Sequence, residues 1–365
     1  MADATFTTTD LHTGIQLGNV QLNNRIIMAP LTRTRADGDM PTPLMAQYYA
    51  QRASAGLIIA EATAVVPNAA AFLNGPAIYS QAHIDAWKQV TAAVHDEGGK
   101  IFLQLWHGGR ACHPDLNNGI APVAASALAI TNDMATTANG KQPYTLPREL
   151  TQPEIADIVE GFRQGAENAK LAGFDGVEIH AANGYLLDNF LRDGSNLRTD
   201  KYGGSIANRA RLLREVIDAV FTVWDAGSVG VRTSPLNGFN SMKDSNPIAL
   251  TQWLAEYFNP LGLAYWHLMR HDFLQQQKGD VLTVARQSFH GNLVANMGYS
   301  AQEANEAINQ SNVDAVAFGV PFISNPDLVD RFAVDAELTE ADPSTFYIGG
   351  RTGYVDYPRL VDATL

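Results

Sequence analysis

Short apolar runs alternate with amphipathic stretches along nearly the whole chain. The runs at 25–29, 57–60, 101–105, 176–179, 229–231, 264–268, 293–295 and 313–318 are largely continuous in hydrophobicity. That is the pattern of strands buried on both faces, as in a parallel sheet. Between them apolar residues recur at helical spacing. A helix is predicted over 42–53, with Pro43 near its start. Trp87, Val90 and Val94 share one helical face, which Gly98 and Gly99 terminate. Ile155, Ile158, Val159, Phe162 and Ala166 form a stripe opening at Thr151, a good N-cap. Ile206, Ala210, Leu213, Ile217 and Val220 form another, opening at Ser205. Further helices are predicted over 249–258, 281–289 and 326–332, and Ala301, Ala304 and Ile308 mark one more.

Eight strand–helix units predict an α/β fold, a (β/α)₈ TIM barrel spanning 1–365 as a single domain. An open doubly wound sheet is the rival. It would carry a glycine-rich turn after its first strand, where this chain has Ala29-Pro30-Leu31-Thr32-Arg33. Only residues 107–148 break the rhythm, being rich in Pro, Gly, Asn and Ala. A stretch that long reads as an insertion after the third strand, over the C-terminal rim, with room for a short hairpin.

The C-terminal ends of barrel strands are where chemistry gathers. After the run Val177-Glu178-Ile179 come His180, Asn183 and Tyr185, then an Asp-, Asn-, Gly- and Ser-rich stretch that reads as loop. His and Asn can both aim N–H donors at one oxygen, and Tyr can deliver a proton. Taken singly, such residues are more often structural. Other strand ends are polar too: Thr32 follows the first, Gln104 closes the third, His180 the fourth and Arg232 the fifth. Together they make a polar floor for a flat ligand with many acceptors, such as the pyrimidine half of a flavin. A Schiff-base lyase would want a lysine at a strand end, and none is present there. His107 and His113 are too few for a metal site.

A net charge of −13 with scattered basic residues argues against nucleic acid or an anionic membrane as a partner. The single cysteine, Cys112, excludes a disulfide framework or a four-thiolate cluster. Residues 1–10 lack a basic segment followed by an apolar one, and no run is long enough to span a membrane. A cytoplasmic protein is the expectation.

Several motifs give these residues a context. They are Met28-Ala29-Pro30-Leu31-Thr32-Arg33, Glu61-Ala62-Thr63, Gln104-Leu105-Trp106, His180-Ala181-Ala182-Asn183-Gly184-Tyr185-Leu186-Leu187, Arg198-Thr199-Asp200 with Tyr202-Gly203-Gly204-Ser205, and Val231-Arg232-Thr233-Ser234-Pro235. Near the C-terminus come Phe346-Tyr347 and Gly353-Tyr354-Val355-Asp356-Tyr357-Pro358. This set closely resembles the old yellow enzyme family of FMN-dependent ene-reductases, over 14–358. The resemblance implies the same barrel, non-covalent FMN, and NADPH or NADH as reductant. It implies that α,β-unsaturated carbonyl or nitro compounds are reduced at the C=C bond. By resemblance Thr32, Gln104 and Arg232 hold the flavin ring, and Pro30 and Ala62 add main-chain contacts. Arg232 would favour the anionic reduced ring. His180 and Asn183 would bind the substrate oxygen, Tyr185 would protonate the α-carbon, and Trp106 and Tyr347 would line the substrate site. Threonine at 32, where a subgroup carries cysteine, resembles the enterobacterial and yeast-type group.

The chain departs from the family at the phosphate site, implied to lie on Met297 and Gly298 after the seventh strand and on Gly319 and Val320 after the eighth. The family usually has glycine where Met297 stands and arginine where Val320 stands. A lost charged hydrogen bond is worth roughly 1.5–3 kcal/mol, or about tenfold to a hundredfold in affinity. Arg270, after the sixth strand, is a candidate replacement for the missing charge. A degenerate relative with weak or no FMN binding, serving as a ligand-binding or scaffold protein, is the alternative reading.

Overall fold

The computed structural model describes residues 10–360. The expectation about a leader peptide, and the two ends of the single-domain span, fall largely outside them. Eight parallel strands close into a barrel: β1 (Ile26–Met28), β2 (Leu57–Ala64), β3 (Ile101–Trp106), β4 (Gly176–Ala181), β5 (Val229–Thr233), β6 (Tyr265–Met269), β7 (Leu293–Asn296) and β8 (Ala315–Phe318). β8 pairs back onto β1, Val316 opposite Ile26 and Phe318 opposite Met28. The helices include α1 (Pro43–Ala50), α2 (Gln81–Asp96), α3 (Gln152–Leu171), α4 (Arg211–Phe221), α5 (Pro247–Phe258), α6 (Val281–Ser288), α7 (Ala301–Asn309), α8 (Val320–Ser324) and α9 (Leu328–Ala333).

Helix starts follow the sequence. The side chains of Thr42, Ser80, Asn246, Asp280 and Ser300 accept backbone N–H bonds at the openings of α1, α2, α5, α6 and α7. Thr151 and Glu154 form a reciprocal capping box on α3. Each cap contributes about 1 kcal/mol. The stripe from Ile206 is two helices: Ile206–Arg209, capped by Ser205, meets α4 at Ala210.

Side chains on each strand alternate between the helix layer and the barrel interior. Val177, Ile179, Val231, Trp266, Leu268 and Val316 pack outward in the large core with the helices. Ile27, Ile59, Phe102, Tyr265, Val294 and Ala315 pack inward with Leu17 and Leu22. The latter two belong to an antiparallel hairpin, Ile15–Leu17 with Val20–Leu22, that the hydrophobic pattern does not predict. Gly176 and Gly230 make room inside: a Cβ on either would sit 2.4 Å from the ring of Phe102 or Tyr265.

Three sequence expectations need correction. β2, β4 and β5 run further toward the rim than their apolar runs, because inward positions there are polar while the hydrogen-bond ladder continues. His180 and Arg232 are therefore inside β4 and β5, and not beyond them, while Gln104 lies inside β3 as its run predicts. Second, the stretch after Tyr185 is not all loop: Leu186–Leu191 is a fully buried helical segment. Third, the C-terminal helical region holds α8 as well as α9, and Pro326 lies outside both. The insertion is as expected. It contains the hairpin Met134–Thr137 with Gly140–Pro143, and a short parallel pair, Val123–Ala124 with Arg148–Glu149. Among the described residues no helix is long and apolar enough to cross a membrane.

Candidate active site

The polar end of the barrel follows from the same alternation. Since Ile179 and Ala181 face the helices, Glu178 and His180 face the interior, and both are buried. The Ala182 N–H donates to His180 Nδ1 at 3.2 Å. Burial, with the Arg232 charge adding to it, holds this imidazole's pKa well below its ordinary value. A neutral ring that accepts at Nδ1 carries its proton on Nε2. His180 thus offers an N–H donor.

Asn183 is oriented just as firmly. It sits in the left-handed region at φ +58°, a conformation asparagine tolerates. Its N–H donates to Ser234 Oγ at 2.8 Å, and its backbone carbonyl accepts from Asn240 Nδ2 at 2.8 Å. Its side-chain oxygen accepts from Asn237 Nδ2 at 2.9 Å, which leaves the Asn183 amide as a donor. The Gly184 N–H donates to buried Asp188, whose pKa burial pushes up to about 6. Tyr185 is buried with its ring edge-on to His180 and to Trp106, at centroid distances of 5.1 and 5.2 Å. Burial holds its hydroxyl pKa well above the ordinary value, so it keeps its proton. A neutral donor at the end of β4 is therefore followed, on the loop after it, by a second neutral donor and a protonated phenol.

Gln104 and Arg232 lie on either side of β4, both buried. Gln104 Nε2 donates to Glu178 Oε1 at 2.7 Å. Arg232 sits opposite His180 in the β4–β5 register, and its Nε is buried without a hydrogen-bond partner among the described residues. Trp106 Nε1 is likewise buried and unpartnered. Pro30 and Thr32 are half-buried on the loop after β1, and Ala62 is buried beside a register shift in β2. Glu61 there accepts the Arg33 N–H and the Tyr49 hydroxyl, and burial pushes its pKa up to about 7.

A cavity of about 380 Å³ opens above this end, lined by Tyr185, Phe72, Tyr144, Phe239, Tyr347 and, from the hairpin, Met134. Arg33 and Arg35 hold the C-terminal segment carrying Tyr347 by donating to the Phe346 and Gly353 carbonyls. Sequence reasoning missed Phe72 and Tyr144, which sit in irregular segments without a signal. It also missed Glu178 and His267, which inward alternation along β4 and β6 could have found.

The chain is matched over residues 10–338 by the NADH:flavin oxidoreductase / NADH oxidase family. It belongs to that family. It is 45% identical over 348 residues to a probable flavin mononucleotide-dependent alkene reductase of Leishmania infantum, covering 94% of this chain and 95% of that one. It is 42% identical over 358 residues to a putative 12-oxophytodienoate reductase 2 of Oryza sativa subsp. japonica, covering 96% and 94%. Among solved structures it is similar to morphinone reductase, with TM-score 0.94, 44% identity and 98% of each chain covered. The old yellow enzyme from Trypanosoma cruzi gives TM-score 0.93 and 46% identity, covering 97% of this chain and 100% of that one. The resemblance to old yellow enzymes and the barrel fold both stand.

The residues present fit a flavin. The unpartnered Arg232 Nε is a donor awaiting an acceptor, beside a Gln104 amide whose orientation is fixed. The side expected to take the phosphate is more open. Gly298 is exposed, and no atom lies within 4 Å of where a Cβ on it would stand. Gly319 is half-buried, and Val320 is 52% exposed at the start of α8. Met297, on this side, has φ +95°, a region that favours glycine. Arg270 is engaged elsewhere: both of its terminal nitrogens meet the Glu303 carboxylate, at 2.5 and 3.0 Å, and its Nε donates to the Met297 carbonyl at 2.8 Å. Its guanidinium also lies 3.6 Å above the Tyr299 ring. It clamps the Met297 loop and is not a free phosphate ligand.

Proposed function

We propose that the protein is an FMN-dependent alkene reductase that draws on NADPH or NADH and reduces the C=C bond of α,β-unsaturated carbonyl or nitro compounds. Residues 1–365 act as one flavin-binding domain, and the cytoplasm is its compartment. Family membership and the named relatives support the activity, and they give no support to a barrel that has lost its flavin. Bound FMN supplies hydride transfer, from the nicotinamide and then to the β-carbon of the alkene.

The residues do the rest. Gln104, Arg232 and Thr32 hold the ring edge, with Pro30 and Ala62 adding main-chain contacts. Met297, Gly298, Gly319 and Val320 surround the phosphate. The His180 Nε2–H and the Asn183 amide together hold the substrate oxygen, drawing electron density from the double bond. The Tyr185 hydroxyl gives its proton to the α-carbon. Trp106 and Tyr347 bound the substrate. The observation that carries this reading is the fixed donor pair, His180 accepting at Nδ1 and Asn183 accepting at Oδ1, so that both present N–H.

The test is ligand binding. Phenols should give a long-wavelength charge-transfer band with the oxidised flavoprotein. Replacing His180 and Asn183 together by Ala should abolish that band while FMN stays bound. An unchanged band would remove both residues from the oxyanion site.

A further inference from the structure

Glu178 stands one inward position below His180 on β4, wholly buried, and no step above uses it. It lies at the centre of the polar floor. Its Oε1 accepts from Gln104 Nε2 at 2.7 Å, and its Oε2 lies 2.9 Å from His267 Nδ1. His267 is wholly buried on β6, opposite Arg232 in the register. The Arg232 guanidinium feels the carboxylate: burial lowers its pKa, and the largest opposing effect is the charge of Glu178. Burial likewise lowers the His267 pKa, so the ring is neutral, and its contact with Glu178 assigns its proton to Nδ1. The floor thus holds one cation, Arg232, one anion, Glu178, and two neutral imidazoles, His180 and His267. In so dry a setting charges act over several ångströms with little screening.

We propose that Glu178 is a positioning and counter-charge residue. It fixes the Gln104 amide, and its charge offsets Arg232 and so limits how strongly the floor favours a reduced, anionic flavin. The proposal rests on the reading that Gln104 and Arg232 meet the flavin ring. A single carboxylate then does two opposed things. It presents the ring-binding amide in one orientation, and it keeps the cofactor from becoming too weak a reductant to pass hydride on.

The decisive measurement is the two-electron reduction potential of bound FMN. Glu178→Gln keeps shape and an acceptor for Gln104 but removes the charge. It should move the reduction equilibrium toward reduced FMN by at least about tenfold, which is about 30 mV for a two-electron couple. Glu178→Asp, which keeps the charge, should stay nearer the unmodified potential. Arg232→Gln should move it the opposite way. A potential that shifts in Arg232→Gln but not in Glu178→Gln overturns the counter-charge role alone. A potential that shifts in neither overturns the ring-edge assignment as well. A second measurement needs no variant. In the unmodified FMN-loaded protein, imidazole ¹⁵N spectra should show His267 neutral with its proton on Nδ1. A bare Nδ1 would require a protonated, uncharged Glu178 and would overturn the proposal.

Discussion

The two sides of the barrel mouth are built differently. On the β3–β5 side, His180, Gln104 and Arg232 project from within strands, and each is at least nine-tenths buried. Asn183 and Tyr185 follow on a loop pinned by Ser234, Asn237, Asn240 and Asp188. On the β7–β8 side, Met297, Gly298, Gly319 and Val320 lie past the strand ends, partly or largely exposed. One of them occupies a backbone region suited to glycine, and the neighbouring arginine is spent on Glu303. The difference is one of preorganisation. Donors locked in a dry interior act at nearly full strength on a ligand, whereas exposed backbone is already solvated. The ring side should therefore govern chemistry and flavin identity, and the phosphate side should govern affinity.

The largest expected effect tests the ring side. Tyr185→Phe should slow reoxidation of the flavin by an enone by about 10²–10⁴-fold, the range of a positioned general acid. Reduction by NADPH should be nearly unchanged. Stopped-flow measurement of the two half-reactions decides it, and equal slowing of both would make Tyr185 structural. The pH dependence has a definite sign. Because burial raises the Tyr185 pKa, the hydroxyl keeps its proton as pH rises, and the enone half-reaction should not decline between pH 7 and 9 through loss of that proton.

Val320→Arg probes the other side. It should tighten FMN binding to the apoprotein by at least about tenfold, the low end for a charged hydrogen bond. The gain should shrink at high salt and vanish for riboflavin, which lacks the phosphate. Flavin fluorescence titration reads all three. Stoichiometric, tight FMN in the unmodified protein with no gain from arginine would mean that the phosphate is already fully held.

Met297→Gly should have the smallest effect. Removing a side chain at φ +95° relieves strain of about 1–3 kcal/mol. The extra freedom of glycine in the unfolded chain offsets about 0.5–1 kcal/mol of that. Apoprotein Tm should rise modestly. A fall would show that the Met297 side chain contributes packing that outweighs its backbone.

Much of this was legible in the chain. Continuous apolar runs fix which segments lie between two layers, because only a strand covered on both faces tolerates hydrophobic residues at every position. Helix openings were legible because a cap is a local contact between a side chain and N–H groups a few residues on. The candidate site residues His180, Asn183, Tyr185, Gln104 and Arg232 could be named, since short motifs hold their types and spacing.

What the tertiary structure decided is orientation. Which nitrogen of His180 carries the proton depends on the Ala182 N–H, and which way the Asn183 amide points depends on Asn237, 54 residues away. Glu178 looked like one polar residue in an apolar run until the curvature of the barrel placed Gln104 of β3 and His267 of β6 against it. Arg270 could be guessed as a phosphate ligand from its position after β6, but packing of α7 brought Glu303 to it first. Periodicity reports which face a residue occupies. The partner it finds there depends on contacts between segments far apart in sequence, and only the folded barrel brings those together.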